Sequence, residues 1–144
     1  MVLFNRNLII SGVAGYFSGA LGAQLYSLYD HDMISNAIVA LLSEYCIDIP
    51  FFVITFYLDN RYVYHDHITG KKNPRLANQN IKKIVIAISA SEAFYAVTKI
   101  FSHYQFLHYT MQPYQAAMAS SLMGWAVFLV LVNVLGKRIK LFHN

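Results

Sequence analysis

Apolar residues fall in four long blocks along the chain, with polar residues collected between them. Residues 7–29 and 109–136 carry no charge at all. Two intermediate blocks are less clean: 33–58 contains Glu44, Asp48 and Pro50, and 84–104 contains Glu92 and Lys99. An α-helix rises 1.5 Å per residue, so about 20 residues cross the hydrocarbon of a bilayer. The pattern predicts four transmembrane helices at roughly 8–28, 33–58, 84–104 and 113–135. The expected fold is all-α: an integral membrane four-helix bundle of two tandem helical hairpins. It forms one domain over residues 1–144, with a polar loop at 59–83. The length of the first block argues against a cleaved leader.

Composition supports this reading. The chain is 57% hydrophobic and 12% charged, where soluble domains average about 25% charged residues. An ordinary soluble globule is excluded, and so is a disordered chain, which would need the opposite balance. The single Cys46 cannot form an internal disulfide and is expected to be a small buried hydrophobe.

The net charge of +4 acquires meaning from its position. Arg6, Arg61, Lys71, Lys72, Arg75, Lys82, Lys83, Lys137, Arg138 and Lys140 flank the spans on one side, and only Lys99 does not. The positive-inside rule then puts both termini and the middle loop in the cytoplasm, with the protein multi-pass in the plasma membrane. Nucleic acid is excluded as a partner, because the basic residues border spans and line no recognition element. Tyr26, Tyr29, Tyr104, Phe106, Tyr109 and Tyr114 form an outer aromatic belt, and Tyr57, Tyr62 and Tyr64 an inner one. Trp125 lies mid-span and is expected to pack against another helix.

Small residues recur at helical spacing. The first span places Gly12, Gly15, Gly19 and Gly22 along one broad face, and the fourth places Ala116, Ser120 and Gly124 four apart. Such stripes let helix backbones approach closely, either within one bundle or at the seam with a second copy or another membrane chain.

The two halves resemble each other at an offset of about 76 residues. Each has a span, a short outer loop, a second span and a basic-aromatic exit, LDNRYVY at 58–64 and GKRIKLF at 136–142. Both hairpins enter from the cytoplasm, which is a parallel duplication rather than an inverted one. This layout resembles the GtrA-like family of small four-span proteins, whose exits read Asn-Arg followed by an aromatic or apolar pair ending in Phe. Asn60, Arg61, Val63, Tyr64 and Phe142 carry the resemblance, while Lys137 and Arg138 lack the preceding Asn. The resemblance implies a protein that moves or handles polyprenyl-phosphate-linked sugars and supplies no catalytic residues.

The charges inside the spans are the candidate chemistry. Glu44, Asp48, Glu92 and Lys99 each cost about 2.5–3.5 kcal/mol to insert at mid-bilayer, so they should face the bundle interior and find partners. Glu44 and Asp48 share a helical face, and Asp48 and Glu92 sit at comparable depth. Lys99 can reach Glu44 or snorkel outward. These residues can form a pathway for a proton or cationic substrate, or a network that sets helix register. Pro50 removes a backbone hydrogen bond just after Asp48.

His31, His103 and His108 all map to the outer side, where imidazoles can hold a metal such as copper, but their spacing matches no defined motif. Arg61, Lys71, Lys72, Arg75, Lys82 and Lys83 can contact lipid headgroups or a lipid-linked phosphate, or serve topology alone. No nucleotide-binding loop, zinc-protease pair or nucleophile elbow is present, so a non-catalytic protein without a cofactor is expected. Two functions follow. One is assistance in translocating or handling lipid-linked sugars, with a lipid-facing groove between the hairpins lined by Glu44, Asp48 or Glu92 and Arg61 near its inner mouth. The other is an accessory subunit of a membrane enzyme complex, such as a monooxygenase or respiratory complex. An enzyme or a copper-binding subunit that uses the outer histidines is a third.

Overall fold

A computed structural model describes residues 2–60 and 74–138. The described residues form four helices: α1 (Val2–Tyr26), α2 (Met33–Asn60), α3 (Pro74–His108) and α4 (Pro113–Arg138). The helices are longer than the predicted spans, most of all α3, which begins at Pro74 rather than near residue 84. Hydropathy marks the apolar part of a helix, not its ends. Residues 74–83, assigned to a loop from their polarity, continue the helix because Pro74 opens it and Leu76, Ala77, Gln79, Lys82 and Lys83 favour helix.

The helices pair as two hairpins, α1 with α2 and α3 with α4. The hairpins meet where α1 packs on α4 and α2 packs on α3; α2 barely touches α4, and among the described residues the backbones of α1 and α3, diagonal to each other, do not approach closely. The order around the bundle is therefore α1–α2–α3–α4. Both hairpin turns lie at one end, and the exits of α2 and α4 lie at the other.

Each turn is built from local chemistry. Asp32 caps α2: its Oδ2 accepts the Ser35 amide at 2.7 Å, satisfying one of the free donors of the first turn. The Ser35 hydroxyl and amide together hold the Asp32 carboxyl below its ordinary value of 3.8. A lowered carboxylate stabilises the fold above its ordinary value, and this contribution is lost as the pH falls through the lowered one. Asp32→Asn, which keeps the cap, is expected to remove that acid-side loss, whereas Asp32→Ala lowers the melting temperature at neutral pH; thermal unfolding at pH 3 to 7 measures both.

α3 ends in a Schellman motif, with the Met111 amide bonded to the Phe106 carbonyl (3.1 Å) and the Thr110 amide to the Leu107 carbonyl (3.0 Å). Thr110 takes φ 61°, a conformation that β-branched residues enter at a cost of about 1–2 kcal/mol. Thr110→Gly is expected to stabilise the second hairpin by about 1 kcal/mol, read as a raised unfolding midpoint in mixed micelles. Pro113 then opens α4 at its first position.

The polarity of the bundle is inverted relative to a soluble one. Asn7, Ser11, Asn36, Glu44, Ser91, Lys99, Ser102, His103, Ser120 and Ser121 are buried, while Phe17, Leu21, Val97, Phe101 and Val130 are each more than 60% exposed. Among the described residues, three helices are long and apolar enough to cross a membrane: Phe4–Tyr26, Met33–Asp59 and Pro113–Arg138. The apolar core is concentrated towards the exit end, where Phe4, Leu8, Phe52, Phe128 and Val132 interlock and Phe4 meets Phe52 edge to face at 5.7 Å. Cys46, expected to be buried, is exposed on α2, because the face of α2 that meets its neighbours carries Leu41, Glu44 and Phe52 instead.

Candidate functional site

The interior charges divide into two sets at different levels. In the half nearer the turns, Glu44 of α2 and Lys99 of α3 form an ion pair, and neither side chain is more than 1% exposed. The Tyr95 hydroxyl donates to Glu44 Oε1 (2.5 Å), and the Ser121 hydroxyl, from α4, lies 3.2 Å from Oε2. α1 contributes no side chain here but its absence of one: a Cβ on Gly19 would lie 3.3 Å from both Glu44 Oε2 and Lys99 Nζ. The pair is thus enclosed by all four helices. Lys99 also stands 5.9 Å from the centre of the Tyr95 ring. Lys99 therefore reaches Glu44 instead of snorkelling outward.

The glycine stripe serves this enclosure. Gly15 packs on Glu44 and Asp48, Gly22 on Ser43, Gly12 on the Trp125 indole, and Gly124 of α4 on the Tyr95 ring. Ser120 is fully buried on α4 and donates to the Ala117 carbonyl at 3.0 Å. These small residues therefore pack within the chain, and Trp125 fills the space that Gly12 leaves.

About one helical turn closer to the exit end, Asp48 and Glu92 face a cleft between α2 and α3. Its volume is about 560 Å³, and Leu8, Tyr45, Ile49, Phe52, Val53, Phe56, Tyr57, Val85, Ile88 and Ser89 line the rest of it. Of the three acids that could line a groove between the hairpins, Asp48 and Glu92 line this cleft and Glu44 does not. The ion pair with Lys99 holds Glu44 inside the bundle, so only Asp48 and Glu92 reach the cleft. A much smaller cavity, about 10 Å³, lies on the opposite side of the same two carboxylates, against Tyr95, Trp125 and Phe128. Tyr45 and Asp48 neighbour Glu92, and the Ser11 hydroxyl neighbours Asp48. Glu92 Oε2 is shut off from solvent without a hydrogen-bond partner.

Other predicted residues separate. His103 is fully buried on α3, with both ring nitrogens lacking hydrogen-bond partners, whereas His31 and His108 are exposed near the turns. The three do not gather, and the described residues contain no group of three or more His, Cys, Asp or Glu fit to hold a metal. Arg61, Lys71 and Lys72 lie outside the described residues, and Arg75 and Lys83 belong to α3 without described side chains; Lys82 is exposed.

Sequence reasoning missed Tyr95, Ser121 and His103 as interior groups. A signal existed on α3: Glu92, Tyr95, Lys99 and His103 follow a three-four-four spacing that defines one helical face. It also missed the cluster at the exit end. There Arg6 pairs with Asp59 at 2.6 Å, Asn7 donates to the same carboxylate at 2.8 Å, and Asn5 reaches Asn133 at 3.2 Å. These contacts tie the start of α1 to the ends of α2 and α4.

No family model, curated protein or solved structure matches the chain.

Proposed function

We propose that the chain is a multi-pass protein of the cytoplasmic membrane, with both termini and the 59–83 segment cytoplasmic. In this reading it is a non-catalytic, GtrA-like helper in the translocation or handling of lipid-linked sugars. The inverted polarity supports the membrane assignment, since polar groups inside and apolar groups outside suit lipid as the solvent. α3 joins the other three as a span because its polar face turns inward, leaving Val85, Ile86, Phe94, Val97 and Phe101 exposed. The orientation rests on the basic residues at the exit end. Cysteines placed singly at His31 and Lys137 in a Cys46→Ser background are expected to label from opposite sides of sealed vesicles; labelling from the same side would overturn the topology.

One observation carries the function: an apolar cleft between the hairpins that ends on two carboxyl groups. A single lipid chain gains contact with Ile49, Val53, Phe56 and Val85, while sugar hydroxyls find acceptors in Asp48 and Glu92 at a depth where water is scarce. Arg61, Lys71, Lys72, Arg75, Lys82 and Lys83 supply cationic partners for the phosphate near the cytoplasmic surface. Proteoliposomes carrying a fluorescent short-chain prenyl-phosphate sugar test this reading. Transbilayer movement is expected to depend on the protein and to fall about tenfold or more when Val53→Trp fills the cleft. Unchanged movement would overturn the reading, as would stoichiometric recovery of the native protein with an oxidoreductase, which would make it an accessory subunit.

A further inference from the structure

We infer that the closed end of the cleft receives an amine, so that the sugar on the bound lipid is an amino sugar in its protonated form. This inference rests on the cleft being a lipid-linked sugar site, as proposed above, and adds the class of head group.

The argument is one of unbalanced charge. Asp48 and Glu92 reach the cleft from different helices of different hairpins, and among the described residues that line it there is no Lys, Arg or His. The buried cation of this region is already committed, because Lys99 is enclosed with Glu44, four residues before Asp48 on the same helix. Hydroxyl neighbours are few: Ser11 lies beside Asp48, but its Oγ is also placed to donate to the Leu8 carbonyl at 3.2 Å. Tyr45 lies beside Glu92, yet among the described residues Glu92 Oε2 remains a buried acceptor without a donor. Buried acceptors are rarely left in that state, and a pair of carboxylates in an apolar wall calls for a positive partner.

An ammonium group supplies what is missing, with one positive charge and three donors on a compact centre. One of its donors can serve Asp48, a second Glu92 once that carboxyl turns its enclosed Oε2 into the cleft, and the third a neighbouring oxygen. A neutral sugar offers hydroxyl donors without the charge. A phosphate at this end would face two like charges, so it belongs at the other end of the ligand, towards the cytoplasmic surface. The apolar walls of Ile49, Phe52, Val53, Phe56, Val85 and Ile88 accommodate the single chain.

The test uses the full chain in phosphatidylcholine nanodiscs, titrated with dodecyl glucosaminide and with dodecyl glucoside below their micellar concentrations. Trp125 is the one tryptophan and borders the small cavity behind Asp48 and Glu92, so its emission reports binding, corrected against empty nanodiscs. The amino sugar is expected to bind about tenfold more tightly or better, and the double variant Asp48→Asn, Glu92→Gln to bind both equally. Equal binding of the two ligands by the unaltered protein would overturn the amine while leaving the lipid-sugar reading standing. Failure of both ligands to bind would remove the groove reading and the amine with it. A preference that persists in the double variant would place the amine elsewhere and overturn the inference; the unaltered protein alone decides the matter if that variant does not fold.

Discussion

Lys99→Met is expected to destabilise the bundle by about 3–5 kcal/mol, because it strands Glu44 as a buried charge with no cation. Only the Tyr95 and Ser121 hydroxyls would then face the carboxylate, and no water reaches it, since Glu44 is 1% exposed. The effect should be strongly non-additive. Glu44→Gln in the Lys99→Met background removes the stranded charge and is expected to restore most of the loss, giving a coupling of about 0.5–3 kcal/mol or above. Unfolding from mild detergent into sodium dodecyl sulfate, followed by helical circular dichroism, measures all four corners of the cycle. Equal losses that simply add would show that the ion pair does not hold the four helices together.

The second large effect is expected at Gly12. A single added methyl group there falls on the six-membered ring of the Trp125 indole, and an indole cannot yield as the tip of a flexible chain can. α1 must therefore separate from α4, at a cost of about 1–3 kcal/mol. Alanine gains about 0.5–1 kcal/mol over glycine within a helix, which offsets part of this. Gly12→Leu, with no such offset in packing, is expected to lie at or beyond the upper end. Trp125→Ala destabilises on its own by opening a cavity, but it makes room, so Gly12→Ala combined with Trp125→Ala should cost less than the sum of the two. The same unfolding measurement reads this cycle. Both experiments address different seams of one bundle: Gly12 and Trp125 join α1 to α4, whereas Glu44 and Lys99 join α2 to α3.

The four helices and their pairing were legible in the sequence, because apolar blocks of about 20 residues or more have few other uses and short turns oblige neighbours to pack antiparallel. The glycine stripe was legible as a packing face, although not which side chain each glycine admits. The helix ends were less accessible: α3 runs ten residues before its apolar block because helix propensity and hydropathy are separate properties. Cys46 shows a related limit, since a small apolar residue in a helix with apolar residues on all sides carries no mark of which face is buried.

The candidate site divides along the same line. Sequence alone determined which residues are anomalous: Glu44, Asp48, Glu92 and Lys99 stand out because lipid penalises charge irrespective of fold. It also determined the asymmetry of basic residues, which is a property of order along the chain. Tertiary structure alone decided how those four charges are shared. Glu44 and Asp48 occupy one face of one helix, and nothing in their spacing tells which of them Lys99 will choose. The rotation of α3 against α2 brings Lys99 to Glu44, with Gly19 leaving space and Tyr95 and Ser121 completing the shell. Asp48 and Glu92 are left facing the cleft with no cation beside them among the described residues. Partner choice depends on helix rotation and separation, quantities fixed by contacts between residues far apart in the chain, so it becomes readable only when the four helices are placed together.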